Sequence, residues 1–266
     1  MDKSDQYGSK IGYLIIHKGL VSPRSYGLIK QQYMSLKVVL FDFNGVIIKD
    51  QRIHQELVAE IMLCENLRPD AGEYKQYCRG RSDRACLRDI LASRGRILSE
   101  DYLSKLIEAK TKAYQQQIEQ LAELPLSAKL SEFLAQLKEQ GLIIGLVTGA
   151  LRSEVEFILQ RARIAEYFTV IVAGDDLPLS KPEPDSYLLA IANINQQHPS
   201  LNLQPSQCLA IEDNPVGIEA AKRAKIQVVG VANIYPLHML QRQANWTVDN
   251  FMEIELDRVN LVLSQA

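Results

Sequence analysis

Cysteine and tryptophan are scarce: the 266 residues include one tryptophan and four cysteines, and no two cysteines form a C-x-x-C pair. Cys64, Cys78, Cys86 and Cys208 also lack a histidine at zinc-ligand spacing, which excludes a zinc-finger type of centre and argues against a disulfide framework. The expectation is free buried thiols in a reducing cytoplasm. An excess of either charge is missing too, since 30 basic and 32 acidic residues leave a formal charge of −2. Such a balance implies no nucleic-acid or membrane partner. No apolar run approaches the roughly 20 residues of a membrane span. The piece Gly12-Tyr13-Leu14-Ile15-Ile16 is too short, and no small-residue cleavage site follows it. A cytoplasmic monomer is expected, without internal repeats or low-complexity tracts. Its 47% apolar and 23% charged residues suffice for one large domain, or for a core with a smaller insert.

The run Val38-Val39-Leu40-Phe41 is apolar and mostly β-branched or aromatic, delivers Asp42, and breaks soon after at Asn44-Gly45. It reads as a strand buried on both sheet faces, with Asp42 at its carboxyl end, where open α/β sheets carry their chemistry. Residues 1–36 show no sustained period and read as a poorly ordered extension; Met34, just before the strand, is an alternative start. Residues 51–123 change to helical patterns rich in Leu, Ala, Glu, Lys and Arg, with no convincing strand. Helices are expected from Gln51, after Ser82-Asp83, and from Ser99. After Leu124-Pro125-Leu126, helix and strand alternate to the C-terminus, with strands at Leu142–Val147, Thr169–Ala173, Cys208–Ile211, Gln227–Val231 and near Thr247. That alternation predicts a doubly wound α/β core, 37–50 with 124–266, around a parallel sheet, and a helical cap inserted at 51–123.

Later strands end in polar signatures: Thr148-Gly149, Ser180-Lys181-Pro182 ahead of a helix, and Glu212-Asp213-Asn214. Alone, Lys181 would equally suit a surface ion pair, and Glu212-Asp213 a capping pair before Pro215. The four signatures in this order, with Phe41-Asp42-Phe43-Asn44-Gly45-Val46 and Ile211-Glu212-Asp213-Asn214-Pro215 as the closest matches, resemble the haloacid dehalogenase-like hydrolase superfamily. The resemblance runs from about Lys37 onward and is to the capped subgroup of β-phosphoglucomutase and small-molecule phosphatases. It implies a Rossmann-like core and a Mg²⁺-dependent phosphatase or phosphomutase of a small phosphorylated metabolite. Asp42 would attack phosphorus and form an aspartyl phosphate. Asp42, the Asn44 carbonyl and Asp213 would hold Mg²⁺, supported by Glu212. Thr148 and Gly149 would meet the phosphoryl group, and Lys181 would neutralise charge.

At residue 44 the family's phosphatases carry a second aspartate that protonates the leaving oxygen and then activates water. An amide has no titratable proton for either task. General acid–base catalysis is typically worth about 100-fold to 10,000-fold, so a slow phosphatase would survive the change. Dehalogenases and phosphonatases of the superfamily also lack that aspartate, and a weak phosphate-binding regulator is a further alternative. Against the phosphonatase stands the absence of a cap lysine that stands out as a Schiff-base former. In the cap, His54 and Gly80-Arg81-Ser82 resemble the substrate-facing histidine and loop of capped relatives. His54 can equally pack a helix face, and Arg81 can equally be solvated. No partner is argued for His17, His198 or His238.

Overall fold

The computed structural model describes residues 36–264. The proposed extension up to Ser35 and the alternative start at Met34 lie outside the described residues. Six strands form one parallel sheet: β1 (Val38–Phe41), β2 (Ile143–Val147), β3 (Val170–Val172), β4 (Cys208–Glu212), β5 (Gln227–Val231) and β6 (Trp246–Val248), in the order β3-β2-β1-β4-β5-β6. The order reverses at β1, whose two neighbours continue in opposite directions. The crevice beyond the carboxyl ends of β1 and β4 is therefore where such a sheet places a ligand.

Alternation along the strands supplies two cores. Val39 and Phe41 face a cluster with Phe133, Val155 and Ile158, contributed by α5 (Leu130–Glu139) and α6 (Arg152–Arg161). Val38 and Leu40 face Tyr187, Ala190, Ile218 and Ala221, from α7 (Asp185–Gln197) and α8 (Pro215–Arg223). All four β1 side chains are fully buried, so this strand has no polar face to present. The chain closes with α9 (Leu237–Leu240) and α10 (Leu256–Leu263).

Between β1 and α5 lie four consecutive helices: α1 (Gln51–Cys64), α2 (Ala71–Tyr77), α3 (Asp83–Ser93) and α4 (Glu100–Glu119). The α/β sheet with an inserted helical cap is the expected architecture. Ser82 caps α3 by accepting from Ala85 N, and Ser99 caps α4 by accepting from Tyr102 N. The cap has a cluster of its own, built on Met62, Leu87, Ile90, Leu91 and Leu103. The two strands of chain joining cap and core run side by side, with Lys49 N donating to Pro125 O and Ser127 N to Ile47 O.

The thiol expectation is corrected. Cys78 and Cys86 are joined in a disulfide with their Cα atoms 4.2 Å apart, while Cys64 is free and exposed and Cys208 free and buried. The turn after α2, with Gly80 at φ +76°, and the Ser82 cap of α3 fold this segment back on itself. An eight-residue separation without a C-x-x-C pattern gave no warning of that juxtaposition. Among the described residues no helix is long and apolar enough to cross a membrane.

Candidate active site at the crevice between sheet and cap

Asp42 is the first residue beyond β1 and is 5% exposed, held to the neighbouring strand by its amide on Ile211 O. Lys181, arriving from the loop before α7, donates to Asp42 Oδ1 at 2.9 Å, Glu212 Oε1 at 2.7 Å and Val147 O at 2.9 Å. All three ammonium protons are thereby used. Tyr187 OH also donates to Glu212 Oε1 at 2.7 Å. Asp213 Oδ1 accepts from Asn214 Nδ2, and Asn214 Oδ1 caps α8 at Gly217 N; among the described residues Asp213 Oδ2 has no hydrogen-bond partner. Thr148, 3% exposed at the end of β2, accepts from Ala150 N through Oγ1. Asp42, Thr148, Lys181, Glu212 and Asp213 thus meet at one sheet edge.

Three buried carboxylates share one buried lysine. Burial, then the charge of Asp42, pushes Glu212 up to about 7 against the pull of Lys181 and Tyr187. Burial with Asp42 and Glu212 pushes Asp213 well above the usual carboxylate range. For Lys181 burial works downward, but Asp42 and Glu212 outweigh it and the ammonium is held charged. Ligand oxygens of Asp42, Glu212 and Asp213 lie within 4.8 Å of one another. An all-oxygen donor set, an orphaned carboxylate oxygen and a local excess of negative charge together fit a hard divalent cation. The tight turn after Asp42 supports this packing, because at Gly45 (φ +89°) a Cβ would lie 1.9 Å from Asp213 Oδ2.

Residue 44 has a partner that the sequence did not advertise. Asn44 Nδ2 donates to both oxygens of Asp50, at 3.1 and 3.0 Å. Asp50, 1% exposed, also accepts from Tyr114 OH at 2.6 Å and lies 3.3 Å from His54 Nε2. Burial alone would raise Asp50, but His54, Tyr114 and Asn44 outweigh it and hold the carboxyl below its ordinary value. His54 stacks on Tyr114, and its Nδ1 meets Lys110 Nζ at 2.9 Å. Since ammonium only donates, Nδ1 accepts and Nε2–H faces Asp50.

Lys110 corrects the expectation that no cap lysine stands out. It lies on α4, 2% exposed, in the cleft wall that also carries Asp42, Asn44, His54 and Asp213. Its spacing from Ile107 and Tyr114 sets it in the apolar stripe of α4, and a lysine in such a stripe was the available signal. Burial would lower Lys110, but Asp83, 2.7 Å away, and Glu154 outweigh it and raise it. An ammonium held this way has no free electron pair with which to form a Schiff base. Arg81 also lines the cleft, though its guanidinium is engaged by Asp89 Oδ2 at 2.6 Å and Tyr77 O at 3.0 Å.

The cap loop rests on the core at Gly149. A Cβ there would lie 2.7 Å from the Arg81 carbonyl carbon and oxygen and 2.9 Å from Ser82 N, while Ser82 N itself donates to Ser180 Oγ. Gly149→Ala should therefore wedge the loop away from the cleft. The expected result is a loss of roughly 10-fold to 100-fold in kcat/KM, the usual cost of a misplacement near 1 Å. Unchanged kinetics would show that loop contact is not needed for turnover.

Comparison with known proteins supplies the family. A family model described as haloacid dehalogenase-like hydrolase matches residues 39–231. The chain is 31% identical to the β-phosphoglucomutase of Bacillus subtilis (strain 168), over 76% of this chain and 86% of that one. It is 28% identical to the validoxylamine A 7'-phosphate phosphatase of Streptomyces hygroscopicus subsp. limoneus, over 77% of this chain and 89% of that one. In fold it is similar to the crystal structure of β-phosphoglucomutase from Clostridium difficile, with TM-score 0.74 at 22% identity, covering 86% and 98% of the two chains. On the family match, which spans most of its length, this chain belongs to the haloacid dehalogenase-like hydrolases.

Proposed function

We propose that the protein is a Mg²⁺-dependent phosphoric monoester hydrolase, of the phosphatase or phosphomutase kind, that acts on a small phosphorylated metabolite through an aspartyl phosphate on Asp42. The observation that carries this reading is the Asp42 carboxylate at the open end of β1, fixed by Lys181 and flanked by Glu212 and Asp213. Two of the relatives are named for phosphorylated substrates, which supports the same class.

Asp42 attacks phosphorus in line with the departing ester oxygen; the P–O ester bond breaks and an Asp42–phosphoryl bond forms. Lys181 holds the nucleophile in place and offsets charge, while Thr148 and the backbone at Gly149 bind phosphoryl oxygens. Asp42, the Asn44 carbonyl and Asp213, with Glu212 behind them, would hold Mg²⁺. When bound, that ion neutralises the charge of Asp42 and of the phosphoryl oxygens. Asn44 supplies no proton, so the leaving oxygen draws one from solvent, and the water that later releases phosphate is not activated by this residue. His54 and Lys110 place cationic and hydrogen-bonding groups on the cap side of the cleft. Against the phosphonatase alternative, Lys110 Nζ is already engaged by Asp83 Oδ2 at 2.7 Å and His54 Nδ1 at 2.9 Å. A panel of phosphate monoesters assayed with Mg²⁺ and with chelator tests the proposal; equal rates in both would overturn it.

Metal binding has a thermal signature whose sign is fixed by Glu212. A carboxyl raised in the folded state from 4.5 to about 7 binds a proton there that the unfolded chain has released, so metal-free stability falls as pH rises across that interval. Mg²⁺ should reverse the trend by occupying the deprotonated carboxylates. At 100 times its Kd, Mg²⁺ contributes about 2.7 kcal/mol, or roughly 5–10 °C in Tm for a chain of this size, near pH 8 and much less at pH 5. A Tm shift equal at both pH values, or none, would contradict the site.

A further inference from the structure

We infer that Gln51 is a positioning residue of the cation site, whose side-chain amide donates to Asp213 Oδ2 and fixes that oxygen to face the ion. The inference rests on the reading of Asp42, Glu212 and Asp213 as an all-oxygen cation site, and it adds a residue outside that donor set. Gln51 is the first residue of α1, where the chain enters the cap, and it lines the same cleft as Asp42, Asn44 and Asp213. Its Nε2 is buried, and among the described residues it has no hydrogen-bond partner. Asp213 Oδ2 is buried and unpartnered in the same way. The two atoms are neighbours. A Cβ on Gly45 would lie 2.3 Å from Gln51 Nε2 and 1.9 Å from Asp213 Oδ2, so their separation cannot exceed the sum of those two lengths.

A buried donor and a buried acceptor without partners are each costly to keep, and native proteins satisfy nearly all such groups. Here each lacks what the other supplies. The terminal amide of a glutamine turns about a soft torsion, so a small rotation brings its N–H onto the carboxylate. The opposite amide orientation would set Oε1 against an oxygen that, once ionised, only accepts, so Nε2 is the atom that faces Asp213. The other oxygen of Asp213 is already held, since Oδ1 accepts from Asn214 Nδ2 at 2.9 Å. Oδ2 has lone pairs for a cation and for one N–H together. Carboxylates that bind metals are themselves hydrogen-bonded, and loss of such an outer partner typically costs about 10-fold to 100-fold in metal affinity. Gly45 permits the approach, because any side chain there would occupy the space that Gln51 and Asp213 share.

The test is Mg²⁺ binding to the full chain, measured by calorimetry without substrate, in the wild type, Gln51→Leu and Gln51→Met. Both variants remove the amide and keep an apolar stem of similar size, and the methionine variant serves if the leucine variant misfolds. The Mg²⁺ Kd should rise by roughly 10-fold to 100-fold. Tm of the metal-free protein should stay unchanged or rise, because an unpartnered buried amide has been replaced by an apolar group. Nuclear magnetic resonance reads the bond itself: the side-chain amide pair that is missing from the Gln51→Leu spectrum belongs to Gln51, and in the wild type one of its protons should move downfield as Mg²⁺ is added. An unchanged Kd in the variants, or an amide pair that Mg²⁺ does not move, would overturn the inference. A weaker Kd with a lowered metal-free Tm would make Gln51 a packing residue and would overturn it as well. A wild type that binds no Mg²⁺ would remove the cation reading and this one together, whereas equal, tight binding in wild type and variants would remove this one alone. Since binding is read apart from turnover, the expected Kd and amide shifts without any Mg²⁺-dependent hydrolysis would sink the phosphomonoesterase reading and leave the role of Gln51 standing.

Discussion

Exchanging Asn44 and Asp50, as Asn44→Asp with Asp50→Asn, should raise the hydrolysis of alkyl phosphates by about 100-fold to 10,000-fold, the usual contribution of a general acid and base. The reason is local. The amide at 44 donates to both oxygens of Asp50, which also accepts from Tyr114. Exchanging the two groups keeps one amide–carboxylate hydrogen bond between them and leaves an oxygen at 50 for Tyr114 and His54. Asn44→Asp alone sets two carboxylates about as close as the present 3.0 Å contact, so one must hold a proton and stability should fall. Its gain should be smaller than that of the exchange. Aryl phosphates, whose leaving groups need little protonation, should gain less from either. Steady-state kinetics on paired alkyl and aryl esters decides the matter. Flat alkyl rates in the exchanged variant, with Mg²⁺ still bound, would favour the weak phosphate-binding alternative.

Asp42→Asn should lower Mg²⁺-dependent turnover by something on the order of 10⁶-fold, the scale seen when a covalent nucleophile is removed elsewhere. The same substitution should stabilise the metal-free protein. Asp42 is one of three buried carboxylates around one ammonium, and its charge is among the causes that raise both Glu212 and Asp213. Lys181 retains Glu212 as a partner when Asp42 is neutral. A Tm higher by a few degrees, at about 2–4 °C per kcal/mol, is expected alongside the lost activity. A destabilised variant with residual turnover would argue that Asp42 is structural.

The sheet edge was legible because its residues announce themselves locally. Val38–Phe41 is apolar at every position, as a strand buried on both faces must be; Thr148 and Glu212-Asp213 likewise sit at the ends of mostly apolar runs, while Lys181 comes from the loop before α7. Asp42, Thr148, Lys181, Glu212 and Asp213 could be placed together once the strands were read as parallel. The cap was legible as helix and little more. Helix α2 escaped notice: it is seven residues long, contains Gly72, and owes its start to Asp70 accepting from Gly72 N and Glu73 N. Asp50 and Glu154 escaped because nothing in their own neighbourhoods distinguishes them from solvated acids; only the packing of α1, α4 and α6 buries them. Arg81 was read from a loop resemblance, and its guanidinium turns to Asp89 within the cap. The Cys78–Cys86 bond escaped for a related reason, since it depends on a turn that no cysteine spacing encodes.

An unactivated second step has a consequence that can be measured directly. If Asn44 cannot activate water, an aryl phosphate should load Asp42 quickly and unload it slowly, giving a burst of about one equivalent of phenol before the steady state. Acid quenching during that steady state, followed by intact-mass and peptide analysis, should find one phosphoryl group per chain, on the peptide containing Asp42, and a much smaller amount in the Asn44→Asp, Asp50→Asn variant. Substrate consumption without a burst and without a phosphorylated Asp42, or with the phosphoryl group on another residue, would contradict the aspartyl-phosphate assignment.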